Sequence, residues 1–172
     1  MQQLLIPEAR AKTLTTKHSL SAVCKKLKCD IEISNGNEVS ISGDAYDEFN
    51  ARNVITAFGR GFDLEIAYKL LSEEYMFESI NLKEEFKSEN HRQRIKARVI
   101  GEGGKAKTYI EETSEAYLSI YGNTVSFIGT LEQIKMAKAA VEVLLEGGTH
   151  KSAYKVMEAI RRNMKKEKFG LN

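Results

Sequence analysis

VIGEGGKAKTYIEE, residues 99–112, holds three glycines within four positions, follows a basic run, and leads into a helical pattern carrying two lysines. A glycine cluster at the mouth of a helix lets backbone N–H groups approach a phosphate. The fold depends on whose phosphate that is. The spacing Gly101-x-Gly103-x-x-Ala106 formally fits the dinucleotide pattern GxGxxG/A. That pattern needs a buried parallel strand before it and an acid about 20 residues on to hold a ribose. Here IKARVI (95–100) carries two charges in six residues, and no Asp or Glu stands between Glu115 and Glu132. An ATP-type phosphate loop ends in Gly-Lys-Ser/Thr, whereas Lys105 is followed by Ala106. The third candidate is an RNA backbone.

The surroundings favour it. Net charge is only +2, but the charge is segregated. Residues 87–107 carry seven Lys/Arg against Glu89 and Glu102, and 151–172 carry seven against two, while 44–86 carry four against ten. A basic footprint balanced by an acidic remainder suits a polyanion. The two cysteines, Cys24 and Cys29, are too few for a disulfide scaffold, and their spacing matches no common metal or redox motif. His18, His91 and His150 do not cluster with them, so neither a metal nor a cofactor is expected. No apolar run has the length of a membrane span and MQQLLIPEAR has no export pattern, so the expected setting is cytoplasmic, with no membrane partner. The glutamate pairs Glu84-Glu85 and Glu111-Glu112 diverge on a helix, and no nucleophile–base set is visible, so the chain is not expected to be an enzyme.

An internal repeat sets the architecture. NGNEVSISG (35–43) and YGNTVSFIG (121–129) align at an offset of 86 residues, and the offset holds without a gap to Lys69/Lys155. Ten pairs are identical, among them Gly36/Gly122, Val39/Val125, Gly61/Gly147 and Tyr68/Tyr154, where composition alone would give roughly two. In the second copy the pattern reads as a strand near 77–82, a helix over 88–99, the glycine loop and a helix over 105–115. A hairpin of AYLSIY and TVSFIG turning at Gly122-Asn123 follows, then Thr130 capping a helix over 131–148, and a last helix from about 150. In the first copy a leading strand QQLLI, the hairpin CDIEIS/NEVSIS and the helix DAYDEFNARNVITAFGRG follow the same plan. Thr15-Thr16-Lys17-His18 falls where the glycines should be.

A GxxG loop between two short helices, followed by a hairpin and a third helix, is the plan of a type I KH domain, whose loop clamps about four nucleotides of single-stranded RNA. The expected fold class is therefore α+β: two tandem type I KH domains (βααββα), each a three-stranded sheet packed by helices, plus a C-terminal helix. Residues 1–76 form a degenerate unit without the loop, and 77–172 form the unit that has it. In this reading Gly101, Glu102, Gly103 and Gly104 meet the RNA backbone, and Arg98, Lys105 and Lys107 neutralise phosphates, with Arg94 and Lys96 extending the basic flank. Val99, Ile100 and Leu118 floor a groove for unstacked bases, and Tyr121 at the hairpin rim is placed either to stack on a base or only to pack. The basic last helix is a second candidate surface for RNA or a partner.

RIKARVIGEGGKAKTYIEE (94–112), AYLSIYGNTVSFIG (116–129) and AKAAVEVLLEGGTHKSAY (137–154), with AFGRGF (57–62), resemble the small-subunit assembly factors of the Partner of Nob, or Dim-two, family, in its compact archaeal form. The resemblance covers nearly the whole chain. It implies two KH folds packed as one monomeric body, the second binding single-stranded RNA near the 3′ end of the small-subunit rRNA. It also implies work alongside a Nob-type endonuclease that matures that end, and a link to the alpha subunit of initiation factor two. It places RNA contact on Gly101, Glu102, Gly103 and Gly104. Two departures stand out: many relatives carry a base where this chain has Glu102, and several archaeal ones keep a glycine loop in the first unit, where this chain has TTKHS (15–19). The competing readings are a general tandem-KH regulator of mRNA or transcription, a nucleotide-dependent enzyme, and a protein scaffold with vestigial loops.

Overall fold

In a computed structural model that describes residues 1–16 and 20–170, the chain divides into two compact units, Met1–Glu73 and Glu74–Asn172. In the first, β1 (Gln2–Leu5) leads to α1 (Glu8–Thr16), α2 (Leu20–Leu27), the hairpin β2 (Asp30–Ser34) and β3 (Glu38–Ser42), and α3 (Ala45–Gly59). A short α4 (Leu64–Ala67) and a 3-10 turn (Tyr68–Leu71) close it. In the second, β4 (Met76–Asn81) leads through the one-turn α5 (Leu82–Glu85) to α6 (Glu89–Ile100), a 3-10 turn (Glu102–Gly104), and α7 (Lys105–Ser114). The hairpin β5 (Tyr117–Tyr121) and β6 (Thr124–Gly129), α8 (Leu131–Leu145) and α9 (His150–Phe169) complete it.

Both sheets are antiparallel with the third strand central, in the orders β1-β3-β2 and β4-β6-β5. The period-2 pattern sets which face is buried. Leu118 lies opposite Phe127, and Val125 lies opposite both Ile120 and Ile80. These residues join one core with Ile95 and Val99 of α6, Ile110 of α7, and Ile134, Ala137, Val141 and Leu144 of α8. A capping box starts α8: the Thr130 hydroxyl accepts from the Gln133 N–H, and the Gln133 side chain accepts from the Thr130 N–H at 2.9 Å.

The repeat is structural. Adding 86 to α3, Ala45–Gly59, gives α8, Leu131–Leu145, with no shift at either end. Both helices end alike. Gly61 and Gly147 adopt φ of 100° and 90°, and their N–H groups bond back to Phe58 O and Leu144 O. The next N–H, of Phe62 or Gly148, reaches Ala57 O or Val143 O. This is the left-handed helix stop that glycine allows. In the first unit Arg10 of α1 reinforces the stop, donating to the carbonyls of Phe58 and Phe62 with its guanidinium 4.0 Å from the Phe58 ring centroid.

The offset fails at the leading strands. Two residues separate β1 from α1, whereas Leu82–Ser88 separates β4 from α6. The additional turn, α5, is not legible in the hydrophobic pattern. It is fixed locally by Asn81, whose side chain accepts from the Lys83 N–H, and by Leu82, which is fully buried. LEIAYKLL (64–71) forms only the short α4 and the 3-10 turn, in contrast to the 20 residues of α9. Of TTKHS in the first unit, Lys17, His18 and Ser19 lie outside the described residues.

Candidate nucleic-acid interface

The Gly101–Gly104 segment joins the C-terminus of α6 to the N-terminus of α7, and its three glycines serve two ends. Gly101, at φ 75° and ψ 172°, occupies a region that residues with a Cβ essentially do not enter. A Cβ there would lie 2.6 Å from Ala106 Cβ and 2.7 Å from the Ala106 nitrogen. This glycine is needed to let the two helices meet. Gly103 (φ 60°, ψ 21°) and Gly104 (φ 77°, ψ 9°) are left-handed too, but a Cβ on either meets nothing within 4 Å. They present bare backbone outward.

Within the second unit, helix capping singles out the same place. Side chains cap the N-termini of α5 (Asn81), α6 (Ser88), α8 (Thr130) and α9 (Thr149), whereas no side chain caps α7, whose N-cap residue is Gly104. The positive end of α7 therefore lies beside the two outward glycines, an arrangement suited to an anion, while the Gly104 N–H donates within the loop to the Gly101 carbonyl. Glu102 is exposed in the loop, and its carbonyl accepts the Lys105 N–H.

The cations around the loop divide by use. The side chains of Arg94 and Lys105 are exposed and make no hydrogen bond or ion pair with a described residue. Lys107 is paired with Glu111 at 3.2 Å, one helical turn on. Lys96 donates to the Gly122 carbonyl at 2.9 Å, and Arg92 holds Asn123 Oδ1 and the carbonyls of Phe86 and Lys87. The bonds to Gly122 and Asn123 pin α6 to the β5–β6 turn. Arg98, expected as a phosphate contact, is half-buried; its guanidinium donates to the Gly148 carbonyl, and His150 Nε2–H donates to its own carbonyl at 2.8 Å. It fastens the start of α9 to the end of α6.

The apolar members also divide. Ile100 is 37% exposed beside the loop. Val99 and Leu118 are 0% and 3% exposed and belong to the core, so they shape the ground beneath a groove and offer it no surface, a correction to the expected floor. Tyr121, paired with Thr124 across the hairpin, is half-buried and has a partner of its own. A feature missed in the sequence is the tyrosine pair Tyr109–Tyr154, with centroids 4.0 Å apart, which packs α9 on α7. Burial, with Tyr109 beside it, pushes the Tyr154 phenol up from its ordinary value. The signal for the pair lay in the helical spacing of Tyr109 and in the repeat identity Tyr68/Tyr154. Among the described residues no group of His, Cys, Asp and Glu could hold a metal ion, and no helix is long and apolar enough to cross a membrane.

Known proteins resemble the chain in sequence and fold. The family model of the eukaryotic-type KH domain (KH-domain type I) matches residues 76–162. The KH domain-containing protein MJ0443 of Methanocaldococcus jannaschii is 39% identical over 98% of this chain and 77% of its own length. The pre-rRNA-processing protein PNO1 of Chaetomium thermophilum is 27% identical over 64% of this chain, which spans 44% of that longer relative. Among solved structures, Dim2p from Pyrococcus horikoshii matches with a TM-score of 0.82 at 35% identity, covering 92% of this chain and 98% of that one. A chain of the a/eIF2alpha–aDim2p–rRNA complex from the same organism matches with a TM-score of 0.83 at 34% identity, covering 94% of each. The glycine loop, the strand order β4-β6-β5 and these likenesses along the chain agree, and the chain belongs to the Dim2/PNO1 family of KH-domain ribosome assembly factors.

Proposed function

We propose that the second unit, from residue 77 onward, binds single-stranded RNA near the 3′ end of the small-subunit rRNA and presents that end for maturation by a Nob-type endonuclease. The first unit, residues 1–76, is in this reading a KH domain without a clamp and serves for docking. The observation that carries the reading is the outward backbone of Gly103 and Gly104 at the one uncapped helix start among α5 to α9. Two consecutive bare peptide units and the α7 dipole accept a phosphate from any sequence, while Ile100 offers an apolar contact to an unstacked base. Lys105 and Arg94 supply cations not used inside the fold. A relative of this family crystallises with a/eIF2alpha and rRNA, which supports RNA and the initiation factor's alpha subunit as partners here. The chain provides binding and positioning, and the bond-breaking chemistry belongs to the nuclease.

The test is a titration of the full chain with three RNAs of equal length: the 3′ end of the small-subunit rRNA, a scrambled sequence, and the same 3′ end annealed to its complement. The 3′-end strand is expected to bind at least tenfold more tightly than the other two. Equal affinity for the scrambled strand would replace this reading with that of a general single-strand binder.

A further inference from the structure

The basic face of α9 is not absorbed by the loop. This helix carries seven Lys/Arg against Glu158 and Glu167, and none of the seven side chains makes an ion pair or hydrogen bond with a described residue. Its opposite side is spoken for: Ala153 and Met157 are buried, and Ile160 and Met164 pack on the core shared with α8. The cations are therefore held on a fixed rod about 30 Å long, at ~1.5 Å per residue.

Three hollows run along that rod. The first, of about 370 Å³, lies between Tyr109 of α7 and Lys151, Tyr154 and Lys155 of α9. The second, of about 400 Å³, shares Glu158 with the first and adds Arg161, Arg162 and Lys165. The third, of about 450 Å³, shares Arg161 and Lys165 with the second and continues to Lys168, with Glu132 and Glu167 on its walls. Shared lining residues set them in a line, a shallow groove along one face of α9 with Glu158 where the first two meet. Its near end is tied to the loop, because Arg98, three residues before Gly101, holds Gly148 and His150 at the start of α9. Tyr109 stands one α7 turn beyond Lys105. Lys151, Lys155, Arg161 and Lys165 follow one another at axial steps of about 6, 9 and 6 Å.

We propose that this groove is a second stretch of the RNA site, along which a single strand longer than the loop can hold continues with its phosphates on Lys155, Arg161, Arg162 and Lys165. A row of cations spread along one helix, in a groove that starts beside a phosphate clamp, fits a polymer carrying one charge per unit. The half-buried tyrosine pair gives the near end an aromatic wall of the sort on which unstacked bases lie. The proposal rests on the loop reading only for the point where the strand enters.

The test compares the full chain with its Arg161→Ala/Arg162→Ala/Lys165→Ala variant, alanine preserving the helix. Anisotropy is measured on single-stranded RNAs of about 5 nucleotides, close to the loop's capacity, and about 15 nucleotides. The variant is expected to bind the short RNA within about twofold of wild type and the long one about tenfold more weakly. Its salt dependence for the long RNA should be shallower by about 2 in log K against log salt, from three lost phosphate contacts at ~0.7 each. Wild-type affinity and slope for the long RNA in the variant would overturn the proposal and leave α9 as a surface for an acidic protein. Should the wild type fail to bind the short RNA while the long one remains sensitive to the substitutions, the loop reading falls and the groove stands.

Discussion

Replacing Gly103 and Gly104 together (Gly103→Asp/Gly104→Asp) is expected to lower affinity for single-stranded RNA about 100-fold at low salt while the protein stays folded. Both positions are left-handed, a conformation aspartate tolerates better than most residues, and a Cβ at either enters open space. The folding cost is about 1 kcal/mol each, against a total stability of order 5–15 kcal/mol. The binding cost is larger. Two carboxylates would stand where phosphate oxygens approach, and like charges in such contact cost several kcal/mol, of which ~3 corresponds to about 100-fold. Anisotropy with a labelled strand, alongside thermal melts of both proteins, separates the two effects. ATP and NAD are expected not to compete. Undiminished RNA binding by the folded double variant would remove the loop from the account.

The opposite outcome is expected two residues earlier. Gly101→Ala should destabilise the second unit by about 3 kcal/mol, combining backbone strain of order 1–3 kcal/mol with the displacement of Ala106. At ~4–8 °C per kcal/mol for a unit of this size, its melting temperature falls by about 15 °C. One loop thus holds glycines of two kinds: Gly101 is required by the packing of α6 on α7, and Gly103 and Gly104 are required by what lies outside. A melt of Gly101→Ala unchanged from wild type would contradict that division.

The sequence was most informative where one residue governs its neighbourhood. The repeat at 86 residues carries the observed bounds of α3 onto those of α8, and the sequence reading of 131–148 overruns only the C-terminal end, where the chain leaves the helix at Glu146 and turns at the left-handed Gly147. The strand pairing followed from alternation about Gly122-Asn123. What was not legible was mainly long-range. The basic run over 87–107 was visible, but its use was not: Lys96 is engaged by a carbonyl 26 residues away in sequence and Arg98 by one 50 residues away. The pairing of Lys107 with Glu111 could have been read, since the two stand at i and i+4. So could the burial of Val99, which lies one turn from Ile95 on the inward face of α6 and leaves Ile100 to face out. Glu102 keeps an acid in a loop suited to phosphate, and nothing in the structure explains it.

The central claim is that the outward backbone of this loop clamps single-stranded RNA, and backbone amide chemical shifts report it directly. In a titration of the 15N-labelled full chain with single-stranded RNA, the account predicts the largest shifts at Gly103, Gly104, Lys105 and Ala106, saturating together with binding. Saturable binding with those four amides unmoved and the shifts confined to other surfaces would contradict it.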